Sequence, residues 1–357
     1  MKKVIYIVAI LSLLFSCGKE KSVNKSETDK KLLEVLGEFP EKPKLSIDTL
    51  ETAEFNNGWR YKIKYLAEDS IPSLGIPQDW VFAYLFVPKT EYRKKLPGIV
   101  AIHQDDIACH IGKSEPAGID GDSTMFYGLD LFNQGYVVIC PDRFYHGERR
   151  LLSKMHPWKR KKNINPERDF RLLDYQVGVL FLQGRTLYSK QAYDVSRAVD
   201  VLTSLSLVDE ENIGIIGHSA GGNVVPYAMF FDKRIKLGVS SCGVFDVAQI
   251  FKMNVRQPFP SCMAIPALVK NNLTTADYLK SIYPRSLLLT RGKHEWGKGD
   301  IGSITMIEEL RRFEKTYNSN GDKGDIKTIV FEENGGEHAF PKNVKKDVYK
   351  WIDQRLK

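Results

Sequence analysis

Ile213-Gly214-Ile215-Ile216-Gly217-His218-Ser219-Ala220-Gly221-Gly222-Asn223-Val224 is the stretch from which the rest of the chain can be read. Its first four residues are a short apolar run of the buried-strand kind, and a helical pattern follows over Ala220 to Phe231. Between them lies G-x-S-x-G, which in a strand-turn-helix setting describes a sharp elbow that lifts a serine hydroxyl clear of a sheet. The glycines are needed because side chains two residues either side of the serine would collide. The helix N-terminus offers free N–H groups and the positive end of a dipole to a developing negative charge. Ser219 is therefore the candidate nucleophile, and the Ala220 N–H a candidate oxyanion donor.

Outward from the elbow, strand-like and helix-like segments alternate. Trp59 to Leu66 and Trp80 to Val87 read as two opening strands, rich in aromatic and β-branched residues and separated by Pro72, Gly75 and Pro77. Further strands are expected at Gly98 to Ile102, Tyr136 to Cys140, Ile235 to Ser240, Ser286 to Thr290 and Lys327 to Phe331. Helical stretches fall at Thr124 to Asn133, Tyr193 to Leu205, Ile304 to Tyr317 and Asn343 to Leu356. This alternation predicts an α/β class with a mostly parallel sheet, helices on both faces, and an antiparallel N-terminal edge. Two insertions, at about 144–171 and 245–283, leave the carboxyl ends of strands, where open α/β sheets bind ligands, and are candidate pocket walls. The first carries a basic run, Arg149, Arg150 and Lys159 to Lys162, which reads more simply as solvated surface.

A serine hydroxyl needs a base, and in this arrangement the acid and then the histidine lie further along the chain. Of seven histidines, His103, His110, His146 and His156 precede the nucleophile and His218 lies inside the elbow. His294 and His338 remain. His338, in Gly335-Gly336-Glu337-His338-Ala339-Phe340, follows the last strand and precedes the final helix on a glycine-loosened loop, and is the candidate base. The acid must hold the imidazole in the right tautomer. Glu295, three residues beyond the strand-ending Gly292, is preferred, with Asp300 and Asp246 as rivals; His294 beside it reads as incidental. The second oxyanion donor belongs to the loop after the Gly98 strand, first the Gln104 N–H and then that of Asp105. Asp142 and Arg143, with Gly147 to Arg150, read as an ion-pair lattice that fixes the first insertion.

The composition, 43% hydrophobic and 27% charged, is that of a globular protein, and 357 residues suffice for a sizeable core. The net charge of +8 is a modest excess, and no nucleic-acid partner is expected from it. Residues 1–16 read as a signal peptide: Lys2 and Lys3, an apolar run from Val4 to Phe15, then Ser16. The run is short for a membrane span. Leu14-Phe15-Ser16-Cys17 resembles the bacterial lipobox, which implies a lipid on Cys17 and a place in the cell envelope, at the outer membrane or the periplasmic face of a membrane. Residues 17–31 read as a polar tether, and 32–357 as one catalytic domain. Of the five cysteines, Cys140 and Cys242 lie on strands and are expected as buried thiols, whereas Cys109 and Cys262 fall in loops and could pair. Neither a CxxC nor an HxxxH pair occurs, so no zinc site is expected.

Beyond these patterns, the chain resembles the dienelactone-hydrolase-like and acetyl-xylan-esterase-like branch of the α/β hydrolases, from about Leu96 to the end. The resemblance rests on His103-Gln104, Gly112 to Glu115, Gly135 to Val138 with Pro141-Asp142, Gly147 to Arg150, Asp194 with Arg197 to Asp200, the elbow, Tyr283 to Leu288, and Gly336 to Phe340. It implies the α/β-hydrolase fold and a triad of Ser219, Glu295 and His338, with Glu295 where relatives more often carry Asp. A dienelactone hydrolase proper would use Cys, and Ser219 points to esters instead. The expected activity is hydrolysis of carboxylic esters, small or glycan-linked, as acetyl or uronate esters, with no metal or organic cofactor. A serine peptidase of the same fold is the alternative, though no propeller of several hundred residues precedes Trp59. A non-catalytic envelope lipoprotein is the third reading.

Overall fold

Nine strands among the described residues form one sheet, in the order β1-β2-β3-β5-β4-β6-β7-β8-β9. They are β1 (Ile47–Phe55), β2 (Gly58–Glu68), β3 (Asp79–Pro88), β4 (Leu96–Ile102), β5 (Val137–Pro141), β6 (Val208–His218), β7 (Ile235–Ser241), β8 (Ser286–Gly292) and β9 (Ile326–Phe331). The computed structural model describes residues 27–55, 57–90, 95–105, 109–150, 166–244, 264–295, 298, 301–318 and 325–357. The signal peptide, Cys17, Asp246, Cys262, Asp300 and parts of both insertions lie outside them.

β5, β4, β6, β7, β8 and β9 pair parallel with one another, whereas β1, β2 and β3 form an antiparallel edge joined antiparallel to β5. The fold class is as the sequence predicts, with one further strand. β1 alternates poorly because it is exposed along most of its length. It is held by charge across the ladder, Asp48 to Lys64 at 3.0 Å and Glu51 to Lys62 at 3.2 Å, and such charges also blunt an edge strand.

Helices α1 (Glu27–Leu36), α2 (Tyr127–Asn133), α3 (Pro166–Leu182), α4 (Leu187–Thr203), α5 (Ala220–Phe231), α6 (Thr275–Ser281), α7 (Ile301–Asn318) and α8 (Lys342–Leu356) accompany the sheet. Val199 and Leu202 of α4, Val225 and Met229 of α5, and Phe313 of α7 are buried against one face. Leu131 and Phe132 of α2 with Val348, Trp351 and Ile352 of α8 cover the other. The parallel strands between are apolar on both sides for that reason.

Two helices depart from the sequence reading. Residues 27–31, assigned to the tether, are the first turns of α1, whose Leu32 and Leu36 are fully buried beside Tyr188, Tyr227 and Tyr278. The Tyr278 hydroxyl donates to the Leu32 carbonyl at 2.9 Å, and the Thr186 hydroxyl to that of Leu36 at 2.8 Å. The second is α3, which occupies the end of the first insertion and is continued by α4 after a capping box on Thr186 and Ser189. No helix among the described residues is long and apolar enough to cross a membrane.

Candidate active site

The chain reverses at the end of β6 so tightly that Gly217 and Gly221 leave no room for a Cβ. One on Gly217 would lie 2.4 Å from the Gly221 carbonyl group, and one on Gly221 would lie 2.3 Å from the Ile102 oxygen. Ser219, between them, sits at φ 52° and ψ −123°, a sparsely populated conformation for a residue with a side chain. The Ser219 N–H donates to the Ser241 carbonyl of β7 at 2.8 Å, which anchors the elbow from the side. Ala220 opens α5, so its N–H has no partner within the helix.

His338 reaches Ser219 from the loop after β9. Its Nε2 lies 2.7 Å from the Ser219 Oγ, and its Nδ1 lies 2.7 Å from the Glu295 Oε1. The three residues chosen from the sequence are thus in one hydrogen-bonded row, whereas Asp246 and Asp300 fall outside the described residues. Glu295 is 1% exposed at the side chain and His338 39%, so the row runs from a sealed end to an open one.

Two loops are joined to hold that row. The His294 N–H donates to the Gly336 carbonyl at 2.8 Å, and the Lys293 N–H to that of Phe331 at 2.9 Å. A Cβ on Gly292 would strike the Gly336 and Glu337 carbonyls, so glycine is required where the loops touch. His294, incidental as a side chain, contributes through its backbone. Beneath, the Arg291 Nε lies 3.0 Å from the Glu295 Oε2, and its Nη1 donates to the Val244 carbonyl at 2.6 Å. Sequence reasoning missed Arg291; its signal is a charged residue at the end of an otherwise apolar strand.

His218 packs behind His338, the two ring centroids 5.0 Å apart, and is stacked on Phe340. Its Nδ1 lies 2.9 Å from the Ser241 hydroxyl, which in turn accepts from Thr290. Burial, with the charge of His338 second, pushes the His218 imidazole down to about 3, so it stays neutral.

On the opposite side the His103-Gln104-Asp105 loop lies against the elbow, the Gly221 Cα facing the His103 carbonyl. Arg143, expected in the lattice, reaches back to this loop instead. Its Nη1 donates to Asp105 Oδ1 at 2.7 Å and to the His103 carbonyl at 3.4 Å, and its backbone N–H donates to the His103 Nε2 at 2.9 Å. The His103 Nδ1 is then the protonated nitrogen, 2.6 Å from the Gln104 carbonyl. His146 adds a contact of 3.0 Å to Asp105 Oδ1. Burial alone would raise the Asp105 carboxyl, but Arg143 and His146 hold it far below the usual range. Burial, then His146 and Arg143, hold His103 well below the usual imidazole range. The Gln104 side chain turns aside to Glu115 at 3.1 Å, which leaves only its backbone for the site.

The lattice proper lies one turn further out. Asp142 accepts from the Lys113 N–H and Nζ, both at 2.8 Å, and from the Glu148 N–H at 3.0 Å. Arg149 bridges Asp194 at 2.8 Å and Asp79 at 2.5 Å, and Lys190 meets Glu68, Asp79 and Asp194, each at 2.6 Å. Burial would raise the Glu68 carboxyl, but Lys190 and Arg185 bring it down to about 2. Cys140, on β5, and Cys242, which lies one residue past the end of β7 rather than on it, are buried free thiols, and Cys109 is buried too.

The prolyl oligopeptidase family model matches residues 182–293, a stretch that contains Ser219 and ends two residues before Glu295. Protein YtaP of Bacillus subtilis (strain 168), named as a hydrolase, is 25% identical over 82% of this chain and 86% of its own. Among solved structures, a Bacteroides fragilis NCTC 9343 protein described as an acetyl xylan esterase superposes with a TM-score of 0.72 at 17% identity, covering 92% of this chain and 86% of that one. A glucuronoyl esterase from Solibacter usitatus superposes with a TM-score of 0.56 at 14% identity, covering 89% and 88%. At such identities the likeness is one of fold. The strand order, the elbow between β6 and α5 and these likenesses together establish that the chain has the α/β-hydrolase fold.

Proposed function

We propose that this chain is a serine esterase in which Ser219 is the nucleophile, His338 the base and Glu295 the acid. The observation that carries the reading is the pair of 2.7 Å contacts on the two nitrogens of His338. Nε2 accepts the Ser219 proton as Oγ attacks the ester carbonyl, while Glu295 keeps the other proton on Nδ1 and stabilises the imidazolium. The oxyanion is held between the N–H groups of Ala220 and Gln104. Collapse expels the alcohol with the proton from His338, and water then releases the acyl group by the same steps in reverse roles. Nothing in this sequence of steps calls on a metal or an organic cofactor.

For the substrate we infer an ester on a carbohydrate, an acetyl or uronate ester, supported by the names of the structures of like fold. The lipobox-like Cys17 supports a lipid anchor at a bacterial membrane, ahead of one catalytic domain. The prolyl oligopeptidase match favours a second reading, a serine peptidase. Acetylated xylan fragments, methyl uronates, aryl esters and prolyl-peptide amides, each offered to wild type and to Ser219→Ala, separate the two. Ser219-dependent release of acetate or alcohol supports the esterase, and turnover of amides alone replaces it with the peptidase. Failure of a folded wild-type chain to react with a fluorophosphonate probe overturns both.

A further inference from the structure

We propose that Cys242, Glu295 and His338 form an inhibitory site for a soft divalent cation such as Zn²⁺ or Cd²⁺, a regulation of the active site that rests on the esterase reading. One ligand atom from each of the three lies within 4.8 Å of the other two, and they are a thiol, a carboxylate and an imidazole. Around a tetrahedral zinc ion such donors stand about 3.3–3.8 Å apart, so closing on a cation asks for shifts of about an ångström or less.

The chain presents the thiol to this point. Cys242 follows β7 in a left-handed conformation, φ 48°, uncommon for a residue with a Cβ. Its N–H is tied to the Thr290 carbonyl at 2.9 Å, and its Sγ faces the Ala339 carbonyl at 3.5 Å, one residue beyond His338. Burial, with the charge of Glu295 second, pushes the thiol up to about 12, so it remains protonated until a cation displaces the proton. Arg291 occupies the Oε2 side of Glu295, which leaves Oε1 to the cation. The thiolate formed on binding offsets part of the repulsion between Arg291 and the metal. His338, exposed at 39% of its side chain, is the point of entry.

The chemistry of inhibition follows from the imidazole. A cation on Nδ1 takes the lone pair freed when that nitrogen's proton moves to Nε2, and the Cys242 proton is released to solvent. With its proton on Nε2, neutral His338 cannot accept one from Ser219. Substrate binding is left open while proton transfer stops, so the loss falls on kcat.

The test is titration of the full chain with Cd²⁺, reading the ultraviolet thiolate-to-cadmium charge-transfer band and aryl ester hydrolysis in parallel. Wild type is expected to gain the band with one equivalent and to lose turnover in step with it, with EDTA restoring both. Ser219→Ala, which reads binding without activity, is expected to gain the same band. Cys242→Ala and the near-isosteric Cys242→Ser are expected to lack it and to need at least about tenfold more Cd²⁺ for half-inhibition, since even outer partners of a metal site contribute that much. Equal sensitivity of wild type and both Cys242 variants, or an undiminished band in them, overturns the proposal. A wild-type chain that hydrolyses no ester yet shows a Cys242-dependent band supports the cation site and overturns only the esterase reading.

Discussion

Arg291 and Glu295 form an ion pair at the floor of the site, Nε to Oε2 at 3.0 Å, with neither side chain more than 2% exposed. A buried carboxylate is costly unless paired, and this one spends its other oxygen on His338. Arg291→Ala should therefore cost about 3–5 kcal/mol of stability, the usual penalty for orphaning one member of a buried pair. It should also lower kcat while leaving KM nearly unchanged. Urea denaturation and steady-state kinetics on an aryl ester check the two effects separately.

Glu295→Gln keeps the shape of the side chain but can donate to Nδ1, which favours the wrong imidazole tautomer. A loss of roughly 10⁴-fold in kcat is expected by analogy with the serine-protease acid. Asp246→Asn and Asp300→Asn should stay close to wild type in the same assay, and a comparable loss in either one would transfer the role to it.

Arg143 ties the His103 to Asp105 loop to the turn after β5. Its replacement by Gln should loosen the Gln104 N–H without touching Ser219 or His338. A fall in kcat approaching the roughly 10²-fold cost of a lost oxyanion donor is expected, with little change in KM. Affinity for a boronic acid that mimics the tetrahedral state should fall in parallel, an effect that general destabilisation would not produce.

His218 is held down to about 3 in the folded chain by burial first and by His338 second, against about 6.5 when unfolded. Between those values the unfolded state binds the extra proton, so stability falls as pH drops from about 6.5 towards 3. The slope from this group is about 1.4 kcal/mol per pH unit. In His218→Gln the pH dependence of the unfolding free energy from urea denaturation between about pH 6.5 and 4 should be shallower by about that amount per unit.

Lys190 is buried at the meeting point of Glu68, Asp79 and Asp194. Lys190→Met leaves those carboxylates with Arg149 and Arg185 alone, and about 3–5 kcal/mol should be lost. Thermal unfolding, with esterase activity at low temperature as the control for the site, checks this.

The sequence disclosed the elements whose pattern is set by burial. The elbow helix has the predicted bounds, Ala220–Phe231, because the same glycines and apolar residues that pack it also mark its ends. β1 was hidden because it is exposed along most of its length, so no apolar alternation marks it, and the ion pairs to Lys62 and Lys64 that help to hold it do not show in a hydrophobic pattern. α1 was hidden because only one narrow side of it, with Leu32 and Leu36, meets the core, and its charged remainder blends into the tether. Ser219, Glu295 and His338 could be picked out by order along the chain. Arg143 and Arg291 could not, because what each does depends on a loop some 40 residues away in one case and on a burial that composition argues against in the other.

The bond from His294 N–H to the Gly336 carbonyl, with Gly292 pressed beneath it, makes the ends of β8 and β9 a single ledge. His338 and Glu295, the proposed base and acid, are carried on that ledge together, so backbone bonds set their mutual spacing. The opposite side of the site is built differently, since the His103 to Asp105 loop is held there by a side chain, Arg143, from the turn after β5. A change in the segment after β5 would then disturb the proposed oxyanion donor before it disturbs the spacing of His338 and Glu295.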